Sequence, residues 1–380
     1  MDPITHTFTG AALAAAGLRR ATPLATAALI LGANAPDVDV LSIFAGGYEE
    51  LAFRRGWTHG VLALALWPFV LTALLLAWDA AVRRRRSPDA LRARTGPLLL
   101  LCALAVATHP ALDWLNNYGL RWLMPFDGRW FYGDALFIVD PWIWLSLGGV
   151  LFLMHSRARL SLARWTVFWT LASAVVLLSG AAAPVLARVL WIAGVAALFT
   201  LRAFGLAAPR REAGLERAAR AALACMTLYI GAIIAAHSVA RGEALRALTS
   251  AGLDNVEQLM LAPVAANPFA GDVVAATPDA YYTGRWSWFG RPRLLLAAAP
   301  IPRLPHDAVY EAAAGTAEAR DFLTWSRFPY VETTENAAGE HVVRFLDARY
   351  RGTEVLRGPS VRLDRDLRPI LRAVFPASSP

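Results

Sequence analysis

The chain has 380 residues, of which 57% are hydrophobic and 17% charged, and its mean hydropathy is +0.42. Soluble domains contain about 45–50% apolar and about 25% charged residues, so this composition excludes a disordered protein, a coiled coil and a disulfide-rich secreted scaffold. The net charge is +8, and all 37 basic residues are arginine. Many of these arginines lie between apolar stretches, as in cytoplasmic loops of membrane proteins, so we expect no nucleic acid partner. The composition predicts several membrane spans with a soluble part attached, and the lipid bilayer is the expected partner.

Six apolar stretches are long enough to cross a bilayer, since a spanning helix needs about 20 residues. They cover residues 58–78, 97–115, 137–154, 165–181, 185–204 and 221–239. Two shorter stretches, residues 7–18 and 22–35, precede them and predict either a short N-terminal helical hairpin that enters the membrane part-way or two tilted helices. The predicted fold class is therefore mainly α, a polytopic membrane helical bundle of about six long spans plus this hairpin.

Arginines cluster in alternate connections between these stretches, at residues 19–20, 83–86, 157–164 and 202–220. The positive-inside rule places such loops in the cytoplasm. The other connections, and the part of the chain that follows the last span, are then predicted to face outward.

Residues 241–380 differ in character, because they contain many prolines and acidic residues. Residues 341–350 show the pattern of half-buried strands, and the Ala-rich residues 307–326 predict a helix. We predict a soluble, extracytoplasmic α+β domain over residues 241–380, after a membrane-embedded domain of residues 1–240.

Side chains that could bind a metal interrupt the apolar sequence of the first third of the chain. They are His6, Asp37, Asp39, His59, His109 and Asp113. His109 and Asp113 are spaced i, i+4 and share one face of a helix. With the arginine loops inside, all six fall at the outer ends of their segments. Each alone could be an interfacial residue or a helix cap, but ionisable groups at membrane depth are costly, and together they predict a metal site.

Imidazole and carboxylate without thiolate suit Zn²⁺ first, with Mn²⁺ or Fe²⁺ as alternatives. Six groups exceed the needs of one tetrahedral ion, so one or two ions are expected. The predicted ligands are His6, Asp37, His59, His109 and Asp113. Asp39 is predicted to be catalytic, as a base, a bridging group or a residue that supports a ligand.

Three further residues are candidates for contact with a substrate. Arg55 precedes His59 by four residues and could bind an anionic group such as a phosphate, in a catalytic or substrate-binding role, or could meet lipid headgroups. Asn116 and Asn117 follow Asp113 and could donate hydrogen bonds to a substrate or a ligand. Asp140 precedes Pro141 and is expected to cap a helix instead.

The motifs resemble those of a family, the bacterial membrane-bound metal-dependent hydrolases, described as LexA-binding, inner-membrane-associated hydrolases. Residues 1–6 resemble its Met-Asp-x-x-Thr-His opening, residues 36–39 its Pro-Asp-x-Asp element, residues 54–60 its His-Arg-Gly-x-Thr-His-Ser element, and residues 109–119 its His-x-x-x-Asp and Tyr-Gly elements. The resemblance covers roughly residues 1–155. Two positions differ, since Arg54 stands where the family often has His and Gly60 where it often has Ser.

The resemblance implies an integral inner-membrane hydrolase in which a metal-activated water attacks an ester, in particular a phosphoester, of a membrane-associated or periplasmic substrate. It also implies the bacterial inner (cytoplasmic) membrane as the location, and the arginine loops then place the site and the C-terminal domain on the periplasmic side. The ligand types resemble, more loosely, those of zinc-dependent phospholipases C, which would suit a lipid-like substrate. The alternative is a membrane-anchored regulatory or binding protein with a structural metal. A transporter would instead distribute ionisable residues through the membrane depth. The sequence names neither the substrate nor a protein partner.

Overall fold

The computed structural model describes residues 1–46, 48–179, 183–204, 212–351 and 356–370. The chain divides into two compact units. The first comprises Met1–Asp39, Arg55–Gly242 and Leu261–Gly271, and the second comprises Val40–Arg54, Glu243–Met260 and the residues from Asp272 onward. The predicted fold class is confirmed, since apolar helices dominate and a part with antiparallel sheets follows them. The boundary between residues 240 and 241 stays a prediction.

The helices are described in chain order. They are α1 (Pro3–Ala15), α2 (Ala25–Asn34), α3 (Glu49–Phe53), α4 (Val61–Trp78), α5 (Thr95–Trp114), α6 (Pro141–His155), α7 (Arg159–Leu178), α8 (Val185–Ala203), α9 (Glu212–Ser250), α10 (Ala308–Ala314) and α11 (Ala317–Trp325). A 3₁₀ helix, Ala35–Ala45, continues α2, and a π-helical turn, Asp79–Arg83, continues α4.

Among the described residues, six helical segments are long and apolar enough to cross a membrane. Five of them lie at α4, α5, α7, α8 and the part of α9 from Glu216 onward, and they overlap predicted stretches. The sixth is Ala25–Phe44, because the 3₁₀ helix extends α2 beyond the predicted end at residue 35. The predicted span over residues 137–154 differs, since α6 is a shorter apolar helix that begins only at Pro141.

Aspartate caps explain where the two short helices begin. The Asp140 carboxylate accepts the backbone N–H groups of Trp142 and Ile143 at 2.9 and 3.1 Å, as predicted for a cap before proline. Asp2 caps α1 in the same way, before Pro3. Since a capped start satisfies donors that have no partner in the helix, α6 cannot extend back to residue 137.

Small residues let the helices that carry the candidate ligands approach closely. A Cβ on Gly10 of α1 would lie 2.4 Å from the Leu29 carbonyl oxygen of α2, and a Cβ on Gly32 of α2 would lie 2.8 Å from the Ala105 Cβ of α5. Such close backbone approach is how helices associate in lipid, where the hydrophobic effect does not drive them together.

Arginine side chains form ion pairs and hydrogen bonds between the connections that the sequence predicts to be cytoplasmic. Arg20, between α1 and α2, pairs with Glu216 of α9 at 2.6 Å, and Arg94, before α5, donates to the Ala21 carbonyl. Arg202, near the end of α8, donates to the Ser156 carbonyl after α6 at 2.9 Å. These contacts join loops that the positive-inside rule assigns to one side, while the side itself stays a prediction.

The C-terminal part contains two sheets. Strands β1 (Gln258–Val264), β2 (Asn267–Ala276), β3 (Ala280–Ser287) and β4 (Leu294–Leu296) pair in that order, and β5 (Ile301–Pro302) also pairs with β3. Strands β6 (Pro329–Glu335), β7 (His341–Asp347) and β8 (Ser360–Leu363) form an antiparallel three-stranded sheet. The strand expected in residues 341–350 is thus confirmed. The helix expected over residues 307–326 is two helices, because Gly315 ends α10 and Thr316 caps α11.

A buried ion pair stabilises the second unit. Arg349 donates twice to Asp347, with both N···O distances 2.9 Å, and its guanidinium lies over Trp325. Burial of the Asp347 carboxyl opposes its charge, but Arg349 and the Ser326 hydroxyl outweigh that effect and lower its pKa below the ordinary value. A lowered pKa means that the carboxylate form stabilises the fold above the unfolded-state pKa of about 4.

Replacing Asp347 with Asn should lower the free energy of unfolding of the second unit at pH 7 by about 3 kcal/mol, because Arg349 is left buried without its counter-ion. In the wild type this stabilisation should be constant above about pH 4 and be lost as the pH falls through the lower folded-state pKa. Urea-dependent hydrogen exchange of β6 and β7 in the detergent-purified full chain measures both effects. Asp366→Asn, at an exposed carboxylate, is the control, and equal losses in the two variants would contradict the assignment.

Candidate metal centre

Four side chains converge on one point. Asp37, His59, His109 and Asp113 each offer one ligand atom, and these atoms all lie within 4.8 Å of one another. The two His Nε2 atoms are 3.1 Å apart. Asp37 Oδ1 lies 3.8 and 3.5 Å from the Nε2 atoms of His59 and His109, and Asp113 Oδ2 lies 3.4 and 3.5 Å from them. A tetrahedral ion with bonds of about 2.0–2.1 Å separates its ligand atoms by about 3.3–3.4 Å, so the spacing fits one such ion.

The four ligand candidates come from three parts of the first unit. Asp37 lies in the 3₁₀ helix that continues α2, and His59 lies just before α4. His109 and Asp113 lie on one face of α5, as their spacing predicts. The side chains of His59, His109 and Asp113 are fully buried, whereas that of Asp37 is 16% exposed. Asp37 therefore marks the side from which the site is reached.

The hydrogen bonds of the two histidines assign their tautomers. His109 Nδ1 lies 2.7 Å from the Ala33 carbonyl oxygen, and since a carbonyl only accepts, Nδ1 carries the proton. His59 Nδ1 lies 3.3 Å from the Asp39 carboxylate and 2.9 Å from the Thr58 hydroxyl, which assigns its proton to Nδ1 as well. Both Nε2 atoms then present lone pairs to each other at 3.1 Å. Two lone pairs at this distance repel unless a cation lies against both, so the residues fit a bound metal.

Asp39 lies behind this cluster and is 2% exposed. Its Oδ2 accepts the Arg55 backbone N–H at 2.7 Å and the Thr58 hydroxyl at 3.1 Å, in addition to facing His59. Carboxylates that accept from the far nitrogen of a metal-binding histidine fix the orientation of its ring and raise its basicity. Of the roles predicted for Asp39, this geometry favours support of a ligand.

His6 lies against the cluster but is not one of the four converging groups. Its ring stacks on His109 with centroids 3.8 Å apart, and its Nε2 lies 3.2 Å from Asp113 Oδ1. The α-amino group of Met1 contacts the same oxygen. His6 therefore touches the carboxylate oxygen that faces away from the other ligand atoms, and its predicted role as a ligand stays a prediction.

Arg55 is 3% exposed and lies beside Asp113. Its Nε is 3.2 Å from Asp113 Oδ2, and its Nη1 donates to Asn116 Oδ1 at 3.0 Å. The guanidinium also lies 4.7 Å from the ring centroid of Tyr118. Asn116 is fully buried and Asn117 is half-buried. Arg55 thus holds Asp113 and Asn116 together, and the predicted contacts of Arg55, Asn116 and Asn117 with a substrate stay predictions.

Two groups that contact the histidines of this site were not predicted from the sequence, namely the Ala33 carbonyl and the Thr58 hydroxyl. The Ala33 carbonyl has no sequence signal, because any residue presents a carbonyl. Thr58 is adjacent to His59 and could have been found as a hydroxyl next to a ligand. Arg54, at a position where the family that the motifs resemble often has histidine, pairs with Glu50 at 3.2 Å and is not one of the four converging residues.

Gly60 allows the turn into α4 to pack against the loop after α5. A Cβ there would lie 2.3 Å from the Met124 carbonyl oxygen and 2.8 Å from its Cβ. The serine that the family often has would cap α4, but serine exceeds glycine as a cap by only a few tenths of a kcal/mol, about 0.3. Overpacking costs about 1–3 kcal/mol, so the close contact outweighs the cap.

Replacing Gly60 with Ser should therefore lower the melting temperature of the purified protein, with a loss of stability of about 1–2 kcal/mol. Thermal unfolding in detergent measures it. Gly96→Ser is the matched control, since no atom lies within 4 Å of a Cβ at Gly96. A Gly60→Ser protein that melts with or above the wild type would refute the close contact.

Replacing Asp39 with Asn should weaken metal binding about 10–100-fold, because His59 would lose the carboxylate that fixes its tautomer. Competition with a chelator of known affinity measures the change. Asp127→Asn, in the loop after α5, is the control, since Asp127 pairs only locally with Arg129. Unchanged affinity in Asp39→Asn would contradict the role assigned to this carboxylate.

Comparison with known proteins supports the location of the chain. Residues 1–185 fit the model of the YdjM inner membrane protein family. The uncharacterized protein YfhP of Bacillus subtilis (strain 168) is 27% identical over 156 residues, which cover 38% of this chain and 44% of YfhP. No solved structure matches. All four converging residues lie within the YdjM match, and the match together with the six apolar helices supports a multi-pass inner membrane protein.

Proposed function

We propose that this protein is an inner-membrane, metal-dependent hydrolase that cleaves an ester, in particular a phosphoester, of a membrane-associated or periplasmic substrate. The observation that carries the proposal is the facing pair of His59 and His109 Nε2 atoms, 3.1 Å apart, with both Nδ1 atoms committed to other partners. Two carboxylate oxygens complete the group. We propose one ion, because the described part of the chain contains one cluster of potential metal ligands and its four groups suit a single tetrahedral ion.

A divalent ion held here, Zn²⁺ first and Mn²⁺ or Fe²⁺ as alternatives, would supply Lewis acidity and acidify a coordinated water. His59, His109 and Asp113 would hold it from buried positions. Arg55 offsets part of the charge of Asp113, so less of the ion's charge is neutralised by its ligands. The substrate would approach on the Asp37 side, where the site has its exposed edge.

A second candidate function, a membrane-anchored regulatory or binding protein with a structural metal, is favoured by one observation. Four protein ligands complete a tetrahedral shell, as in structural zinc sites, whereas catalytic sites keep a position for water. The absorption spectrum of the Co²⁺-loaded protein distinguishes the two. Four protein ligands without a bound water favour the structural site, whereas an exchangeable water, added as a fifth ligand or bound in place of Asp37, favours the hydrolase.

Replacing His59 with Ala should abolish metal retention, because it removes one of the two facing nitrogen atoms. Elemental analysis of detergent-purified protein should find about one equivalent of metal in the wild type, as expected for a single tetrahedral ion. His306→Ala, at an exposed histidine of the second unit, is the control and should keep the metal. Full metal content in His59→Ala would refute the centre.

Hydrolysis itself is tested with the metal-loaded wild type on a fluorogenic phospholipid and on a soluble phosphodiester. Turnover that disappears in His59→Ala and persists in His306→Ala supports the hydrolase. A loaded wild type that retains its metal but cleaves neither substrate, and shows no exchangeable water, supports the structural site instead.

A further inference from the structure

A groove of about 410 Å³ lies between α1 and α7. Ile4 and Phe8 line it from α1, and Trp165 and Phe168 line it from α7, so its walls are mainly apolar. Ser161 and Arg164 of α7 also line it. None of these residues belongs to the four-residue cluster, and they occupy a different face of α1 from His6.

The aromatic walls are built into the packing of the first unit. Phe8 is buried and meets Phe168 edge to face with centroids 5.3 Å apart, and it stacks on Trp165 at 5.9 Å. The groove is therefore formed by packed side chains, and Ile4, which is 36% exposed, lies at its open side.

Arg164 is the charged group of the groove. It lies in the candidate span Arg159–Leu178, five residues after Arg159 and so about 7.5 Å further along the helix axis. Its side chain is exposed, and among the described residues it has no hydrogen-bond or ion-pair partner. In the sequence it is the last arginine of the connection over residues 157–164 and directly precedes the apolar stretch 165–181, where a guanidinium can meet a lipid headgroup. Ser161 already donates its hydroxyl to the His155 carbonyl.

We propose that this groove binds one anionic phospholipid of the leaflet at the arginine-rich end of the bundle. Arg164 would bind the phosphate through two parallel N–H···O bonds, a geometry that guanidinium and phosphate share. An acyl chain would lie on Phe8, Trp165 and Phe168. Charge complementarity favours an anionic lipid, since Arg164 is the one charged residue that lines this otherwise mainly apolar groove. This lipid is distinct from the substrate of the metal centre.

The test uses the delipidated full chain in a neutral detergent, titrated with phosphatidylglycerol or phosphatidylcholine of identical acyl chains and analysed by native mass spectrometry. The wild type should bind the first phosphatidylglycerol about fivefold more tightly than phosphatidylcholine, since one arginine contributes about that factor. Arg164→Gln should remove the preference. Arg159→Gln, which makes the same charge change on the same helix outside the groove, should keep it.

A second pair of variants tests the apolar part with the charge intact. Ile4→Trp should fill the groove and weaken phosphatidylglycerol binding, whereas Leu160→Trp, at a residue that is 64% exposed and outside the groove, should not. Equal affinity for the two lipids, equal losses in Arg164→Gln and Arg159→Gln, or unchanged binding by Ile4→Trp would each overturn the proposal. If Arg164→Gln fails to fold, the Ile4→Trp pair decides.

Discussion

The candidate metal centre depends on the orientation of two imidazole rings. His109 can direct Nε2 at His59 only while its Nδ1 donates to the Ala33 carbonyl, which belongs to α2. That bond requires α2 and α5 to approach closely, and the approach requires Gly32 opposite Ala105. Gly32 thus helps to fix the tautomer of His109, because it allows the Ala33 carbonyl to reach His109 Nδ1. A sequence motif cannot show this contact, since every residue has a carbonyl.

The helix caps also help to position the residues of the candidate metal centre. In a membrane every backbone donor needs a partner within the protein, so a helix that begins at depth must bring its own cap. Asp2 provides one, and Trp144 of α6 donates to the Asp2 carboxylate at 3.2 Å and to the Thr5 hydroxyl at 3.1 Å. The cap of α1 is therefore joined to α6, and His6, in the first turn of α1, is held against Asp113.

The common level of the six groups at the outer membrane face stays a prediction. The residue types of the site could be predicted from the sequence, because ionisable residues in apolar stretches are few. Which of the six groups converge could not, since spacing along one helix says nothing about the distance between helices. Asp37 joins the cluster because a 3₁₀ helix extends α2, a continuation that the apolar pattern does not encode. Strand order in the C-terminal part depends on pairing between distant residues, so hydropathy alone did not predict it.

Four protein ligands would leave no position for the water that hydrolysis needs. The four candidates, however, are not held equally firmly by their surroundings. His59, His109 and Asp113 are each held by a partner outside the cluster, namely Asp39, the Ala33 carbonyl and Arg55. Among the described residues the Asp37 carboxylate forms ion-pair contacts with His59 and His109 only, both of them within the cluster. It also lies in a 3₁₀ segment, whose hydrogen bonds have poorer geometry than those of an α-helix. Three fixed ligands and one weakly held, partly exposed carboxylate approach the pattern of catalytic zinc sites, in which three protein ligands leave the fourth position to exchange. Water or substrate would then replace the Asp37 carboxylate as a ligand of the proposed ion.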